Sequence, residues 1–340
     1  MRICIDARQI RPYPTGIGRY ARFLIEHLAI VDRENEYVVL RHGAATAPVV
    51  ESENFHEVAV PYTILTARNM LSGAGVVRAV KADIYHSLFH FLPFGGGLPK
   101  SVVTLHDLIA VEHSTLSLGS RPRRWWKSAC VRPLLRRSLS RADHVVAVSK
   151  STRQAVLARY PLPPERISAV LSGVDKRVWN DTEVMDEESL FSAVPDDRSF
   201  IFSLGNGHPY KNLPRLFEAF AKVAEGFPRV DLVVTGRGNT NAHLRRLAGS
   251  LQIDTRVRFL EQASDAEVKR CMLRALFFAF PSIVEGFGHP VLEAMACGCP
   301  VMTSDRSALK EIAEDAALLV DPMDTQSMAN GISRLIREEE

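Results

Sequence analysis

PSIVEGFGHPVLEAMACGCP, residues 281–300, is the stretch that decides how this chain reads. The apolar run ALFFAFP (Ala275 to Pro281) leads into it and has the character of a buried strand. Pro290 suits the first position of a helix, where its missing N–H costs nothing. Val291, Leu292, Ala294, Met295 and Ala296 supply that helix, and Gly298 suits its C′ stop. PVMTSD (Pro300 to Asp305) follows as a second strand. A strand, a glycine-rich turn, a helix and a strand in this order bring backbone N–H groups and the positive end of a helix dipole to one point, which is an anion site. Glu285 falls in the turn and Glu293 about one helical turn into the helix. The first can face whatever hangs from a bound phosphate, and the second can take a ribose hydroxyl pair. The same spacing also fits plainer roles, with Glu293 complementing the dipole and Glu285 a solvated loop residue.

Outward from this stretch, short β-like runs alternate with helical patterns. RICIDA (Arg2 to Ala7) is a strand, and GRYARFLIEHLA (Gly18 to Ala29) is helical, with Tyr20, Phe23, Leu24 and Leu28 on one face. YVVLR, EVAVP, DIYHS, SVVTLHD and HVVAVSK read as further strands, and SFIFSLG, VDLVVTG and RVRFLE continue the series after residue 198. Alternation of this kind builds βαβ units and parallel sheets, which bind ligands at the C-terminal ends of their strands. Between them, about Asp181 to Arg198 is acidic and poor in periodic apolar residues. The expected division is an N-terminal domain over 1–185, an interdomain segment over 186–198 and a C-terminal domain over 199–340.

The 340 residues suffice for two ordinary cores, and 46% hydrophobic with 24% charged residues is normal for a soluble protein. No apolar run approaches the roughly 18 residues of a membrane span, and MRICIDARQI lacks the apolar centre of a signal peptide, so a cytoplasmic location is expected. Five cysteines form no CxxC pair and read as reduced thiols. The net charge of +3 conceals an asymmetry: residues 1–150 carry 20 basic and 12 acidic side chains, a balance of +8, which leaves −5 for residues 151–340.

Four more strand ends carry chemistry. In RPYPTGIGRY (Arg11 to Tyr20), Gly16 and Gly18 allow close approach to a ligand, but Ala21 stands where a dinucleotide GxGxxG needs its third glycine. This disfavours a nicotinamide oxidoreductase. His106, ending SVVTLHD, can hydrogen-bond a sugar hydroxyl, shuttle a proton or simply be a satisfied structural histidine. In GNGHPYKN (Gly205 to Asn212), Lys211 is either a phosphate ligand or a solvated loop lysine. In VVTGRG (Val233 to Gly238), Gly236 gives close approach and Arg237 can line a nucleotide pocket. No Asp-x-Asp pair occurs, so the usual carboxylates for a divalent metal on a diphosphate are missing.

The run RPRRWWKSACVRPLLRRSLSR (Arg121 to Arg141) holds eight basic residues and no acid. With Arg123, Arg124, Trp125, Trp126 and Lys127 together, it reads as an interfacial membrane face or an acceptor surface. At about 1 kcal/mol per basic residue near anionic lipid, four engaged residues give about 4 kcal/mol, roughly millimolar attachment. A solvated basic face is the plainer alternative, and no nucleic-acid motif accompanies the run.

Taken together, IDARQI…TGIGRY, TLHD, VAVSKST (Val146 to Thr152), LSGVD (Leu171 to Asp175), GNGHPYKNL, VTGRG and the Glu-x7-Glu stretch resemble, over nearly the whole chain, the retaining glycosyltransferases of family 4. The resemblance implies the GT-B fold, two Rossmann-like domains facing across a cleft. It implies that Lys211 holds the donor diphosphate, Glu293 binds the ribose and Glu285 contacts the donor sugar. Gly286, Phe287 and Gly288 would supply backbone contacts, Gly16 and Gly18 would close over the diphosphate, and His106 would touch the donor sugar. An arginine that many members carry before the lysine is absent from Asn206-Gly207-His208. The chain also ends at ISRLIREEE, short of the family's final crossover helix. The opening resembles mannosyltransferases of O-antigen and exopolysaccharide assembly. The expected activity is metal-independent, cofactor-free transfer of a hexose from a nucleotide-diphospho-sugar, GDP-mannose for preference, to a glycan or lipid-linked acceptor at the cytoplasmic membrane face. A sugar-nucleotide 2-epimerase and a non-catalytic sugar-nucleotide binder are the alternatives.

Overall fold

The apolar runs form strands because both faces of each are covered, and every strand pairing is parallel. The computed structural model describes residues 1–11, 15–43, 47–113, 116, 121–179, 198–205, 207–236 and 240–339, with backbone only for 121–128, 176–177, 240–241 and 339. Residues 1–111 and 126–172 make one compact unit, and residues 112–125 and 173–340 make another.

The first unit is built on β1 (Arg2–Asp6), β2 (Glu36–His42), β3 (Phe55–Val60), β4 (Ile84–Ser87), β5 (Lys100–Leu105), β6 (His144–Ala147) and β7 (Ile167–Ala169), in the order β3-β2-β1-β4-β5-β6-β7. The second uses β8 (Ser199–Leu204), β9 (Val230–Gly236), β10 (Val257–Glu261), β11 (Phe277–Phe280), β12 (Val301–Ser304) and β13 (Leu318–Val320), ordered β10-β9-β8-β11-β12-β13. Along the chain before β8 run α1 (Gly16–Val31), α2 (Ala67–Ala79), α3 (Ile109–Glu112), α4 (Arg121–Arg141), α5 (Lys150–Leu157) and α6 (Lys176–Trp179). After it come α7 (Leu213–Ala221), α8 (Thr240–Ser250), α9 (Asp265–Arg274), α10 (His289–Ala296), α11 (Ser307–Ala313) and α12 (Thr325–Glu339). Each sheet reverses its strand order once, at β1/β4 and at β8/β11, and the crevice beyond such a reversal is where parallel sheets take ligands.

β11 shows why the second sheet is so apolar. Phe277 and Ala279 point into a core with Leu216 and Phe220, while Phe278 and Phe280 point into another with Phe202, Val291 and Leu309. Successive side chains on a strand alternate between faces, so a sheet with helices on both sides needs FFAF rather than an alternating pattern. α12 closes the first of these cores with Met328, Ala329, Ile332 and Ile336.

Three details differ from the sequence reading. The deepest positions of α1 are Ala21, Ile25 and Ala29, with Phe23, Leu24 and Leu28 only half-buried, because small side chains let the helix approach the sheet. Pro290 is the second residue of α10, not the first. The second unit takes in residues 112–125 as well as its long stretch from Gly173 on. Trp179, 2% exposed, packs with Phe200, Met272 and Phe278, and the Cys297 thiol donates to its carbonyl at 3.5 Å. Of the segment 181–198, only Arg198 lies within the described residues.

Candidate active site

The strand-order reversal at β8/β11 gathers the second unit's chemistry. After β8 the chain makes a tight turn at Pro209–Lys211, and Asn212 ends it in a left-handed conformation (φ 61°, ψ 22°). Lys211 Nζ donates to Glu285 Oε1 at 2.7 Å, with the two side chains 11% and 12% exposed. The ammonium also lies 4.5 Å from the Phe280 ring centroid and 5.3 Å from that of Tyr210, both favourable cation–π separations. Lys211 is therefore not a solvated loop lysine: one carboxylate and two rings hold its charge.

The Glu285 loop is fixed from three sides. Its Glu285 N–H donates to Ser307 Oγ at 3.1 Å, and the Ile283 N–H donates to the Tyr210 carbonyl at 2.8 Å. Gly288 caps α10 with φ 118°, and a Cβ there would stand 2.6 Å from Leu309 Cδ2. This position needs glycine both for its conformation and for its closeness to α11. Gly288 has no side chain to cap the helix, so the α10 N-terminus faces the turn with its dipole and main-chain donors. Phe287 is buried against this end, its ring 4.9 Å from that of His289. Glu293 lies in the same short helix and is 4% exposed. Gly298 takes the left-handed conformation expected of a C′ glycine (φ 71°). Gly236 ends β9, while Arg237 lies outside the described residues.

The first unit has its own polar centre at β1/β4. Asp6, the last residue of β1, is fully buried and paired with Arg8 at 2.6 Å. Tyr85 donates its hydroxyl to Asp6 at 2.8 Å, and Arg8 donates to Asn69 at 2.9 Å and to the Tyr62 carbonyl at 3.2 Å. Burial and then the Asp6 charge push the Tyr85 phenol well above its usual range. Gly18 follows closely: a Cβ there would meet the Gln9 carbonyl at 2.8 Å, whereas at Gly16 it would meet nothing within 4 Å among the described residues.

His106 sits just past β5, 8% exposed, edge-on to Tyr20 at 4.9 Å between ring centroids. Its Nε2 is 3.0 Å from the Leu88 carbonyl, which only accepts, so Nε2 carries a proton. Burial lowers its pKa to about 4, against the weaker upward pull of that hydrogen bond. His86, whose Nε2 is 2.8 Å from Thr104 Oγ1, is likewise lowered to about 4 by burial and by His106. At neutral pH His106 is thus a neutral ring whose Nε2 carries the proton and whose Nδ1 can accept a hydrogen bond.

The side chains of Arg123, Arg124, Trp125, Trp126 and Lys127 lie outside the described residues. Farther along α4, Arg132 donates to the Val111 carbonyl at 3.3 Å, Arg137 to Leu92 and Pro93 at 3.2 Å, and Arg141 to Gly95 at 3.1 Å. Part of the basic run thus clamps the protein's own loops. No helix among the described residues is long and apolar enough to cross a membrane.

Sequence reasoning missed Asp6, Arg8, Asn212 and Ser307. Asp-x-Arg at the end of a strand was a visible sign of the first two. Nothing local marked the others.

The chain matches two family descriptions in succession, Glycosyltransferase Family 4 over residues 14–178 and Glycosyl transferases group 1 over residues 185–340. The O-antigen chain mannosyltransferase B of Escherichia coli is 27% identical, with 100% of this chain and 91% of that protein covered. The D-inositol 3-phosphate glycosyltransferase of Salinispora arenicola is 27% identical over 94% of this chain and 79% of its own length. Among solved structures, WaaG, a glycosyltransferase involved in lipopolysaccharide biosynthesis, has a TM-score of 0.73 at 18% identity, covering 99% of this chain and 90% of its own. HepE of Anabaena in complex with UDP-glucose has a TM-score of 0.70 at 18% identity, over 99% of this chain and 90% of its own. Two family matches that follow one another over two parallel-sheet units identify the chain as a glycosyltransferase of family 4 with the GT-B fold.

Proposed function

We propose that this enzyme transfers mannose from GDP-mannose, with retention at the anomeric carbon and without a metal ion or other cofactor, to a glycan or lipid-linked acceptor of a cell-surface polysaccharide. The observation that carries this reading is Lys211, a cation held at the strand-order reversal beside the glycine-rich turn and the α10 N-terminus. Relatives named as O-antigen chain mannosyltransferases support the sugar and the type of product. A neighbouring structure containing UDP-glucose supports a nucleotide sugar as the class of donor. Metal independence rests on the missing Asp-x-Asp pair.

In this reaction the bond from the anomeric carbon to the β-phosphate oxygen breaks, and the acceptor oxygen bonds to that carbon from the same face. The acceptor's proton passes to the departing phosphate oxygen, so no side chain is an obligatory base. Lys211 and the N–H groups of Gly286, Phe287 and Gly288 meet the charge that develops on the diphosphate, an electrostatic role. Glu293 takes the ribose hydroxyls and Glu285 the donor sugar. Of the Arg121–Arg141 run, the part around Arg123, Arg124, Trp125, Trp126 and Lys127 rests on an anionic membrane face, while Arg132, Arg137 and Arg141 hold the protein's own loops.

A thermal-shift screen of GDP-, UDP-, ADP- and dTDP-sugars, followed by determination of the product's anomeric configuration, tests the reading. Stabilisation by GDP-mannose and a product of the donor's configuration are expected. Stabilisation by another base alone replaces the donor, an inverted product ends the claim of retention, and loss of activity in EDTA that magnesium restores ends metal independence. Binding to anionic vesicles should weaken with salt and with Trp125→Ala; salt-insensitive or absent binding removes the membrane from the proposal.

A further inference from the structure

Asn212 directly follows Lys211 and holds the left-handed backbone conformation that side chains other than glycine, asparagine and aspartate rarely take. It is 1% exposed. Its Nδ2 donates to the Pro281 carbonyl at 3.1 Å and to the Pro322 carbonyl at 2.6 Å, and its Oδ1 accepts from Arg215 at 3.0 Å. Both amide protons are therefore committed, which fixes the orientation of the side chain.

The partners matter more than their number. Pro281 is the residue at which β11 leaves the sheet, four positions before Glu285. On the other side of Lys211, the Tyr210 carbonyl accepts the Ile283 N–H at 2.8 Å. The backbone around Lys211 is thus stapled on both sides to the first residues of the Glu285 loop. The third staple, to Pro322, ties the same point to the chain just beyond β13.

We propose that Asn212 is a positioning residue: it sets the place of the Lys211 ammonium relative to the Glu285 loop, and through it the strength with which the site holds a diphosphate. This rests on the reading of Lys211 as the cation that meets the diphosphate. Asparagine serves on two counts that substitution separates. Glycine keeps the left-handed conformation and removes the three side-chain bonds. Aspartate keeps the shape and the Arg215 contact but turns an oxygen toward two carbonyl oxygens.

The test compares binding of GDP and GMP by calorimetry in the full chain, using UDP and UMP instead if the thermal-shift screen selects uridine. Wild type, Asn212→Gly, Lys211→Ala and the double variant are measured. Asn212→Gly should weaken GDP binding about 10-fold, a misplacement effect, and leave GMP within about twofold. In the Lys211→Ala background the same substitution should cost under about twofold, because there is no ammonium left to place. An equal cost in both backgrounds, or an equal loss for GDP and GMP, overturns the proposal and shows a general structural role. Unchanged GDP affinity in Lys211→Ala instead overturns the reading of the lysine, a distinct result. If Asn212→Gly melts below the assay temperature, Asn212→Asp carries the same comparison.

Discussion

Lys211 and Glu285 are 74 residues apart in the chain, yet they meet as a 2.7 Å ion pair where β8 and β11 end. The pair satisfies the lysine's charge within the protein, so under the proposed reading a diphosphate would compete with the Glu285 carboxylate for it. Lys211→Ala should lower transfer about 100-fold or more, as loss of one donor to a developing anion does elsewhere. A near-normal rate would remove the lysine from the reaction.

The competition makes a second, less obvious expectation. Glu285→Gln takes away the rival charge but keeps the side chain's size. Nucleoside diphosphate affinity should rise about 3- to 10-fold, on the order of 1 kcal/mol, while transfer falls. Titration calorimetry beside a transfer assay reads both. Affinity that stays level or drops would mean that the pair does not oppose the ligand.

Gly288 should tolerate no side chain. Alanine there would meet Leu309 Cδ2 at 2.6 Å and keep a φ of 118°. A loss of about 1–3 kcal/mol in thermal or urea unfolding is expected, and in a Leu309→Ala background the same substitution should cost less but still something, because the backbone strain remains. No cost at all in that background would assign the whole effect to the clash.

Arg8→Met should destabilise the first unit by about 3–5 kcal/mol, since it leaves the buried Asp6 carboxylate with its charge uncompensated. Asp6→Asn together with Arg8→Met should cost less than the sum of the two single changes. Additive losses in urea unfolding would show that the pair is not a coupled unit.

His86 and His106 tie stability to pH. Each has a folded pKa of about 4, below the ordinary value of 6.5, so between these values the unfolded chain binds more protons. Stability is then fully present above about pH 6.5 and is lost as the pH falls toward 4. For His106 the shift corresponds to about 3 kcal/mol. Urea midpoints measured from pH 7 to pH 4.5 should decline, and less steeply in His106→Asn. A slope that His106→Asn leaves unchanged would show that this ring does not titrate in that window.

The sequence made the strand ends legible because parallel strands buried on both faces leave continuous apolar runs, as ALFFAFP does, and the turns after them hold glycine, proline and charge. The positions of Lys211 and Glu285 beyond their strands and the C′ role of Gly298 were readable on that basis. What bound them together was not. The Asn212 amide reaches Pro281 and Pro322, 69 and 110 residues on, and no local pattern encodes partners at such distances. The packing of Trp179 with the second unit was hidden for a similar reason: four helical residues show no period, and only the depth of the tryptophan reveals it. His106 was placed correctly past its strand, but its low pKa follows from tertiary burial.

That tryptophan has a practical consequence. A C-terminal fragment begun at Ser199, where the new strand starts in the sequence, would lack the indole that fills the space among Phe200, Met272 and Phe278. Removing a buried tryptophan of this kind costs about 3–5 kcal/mol. A fragment begun at Gly173 would carry its own plug. The seven residues from Gly173 to Trp179 thus belong with the second unit's core in any fragment that keeps β8 to β13.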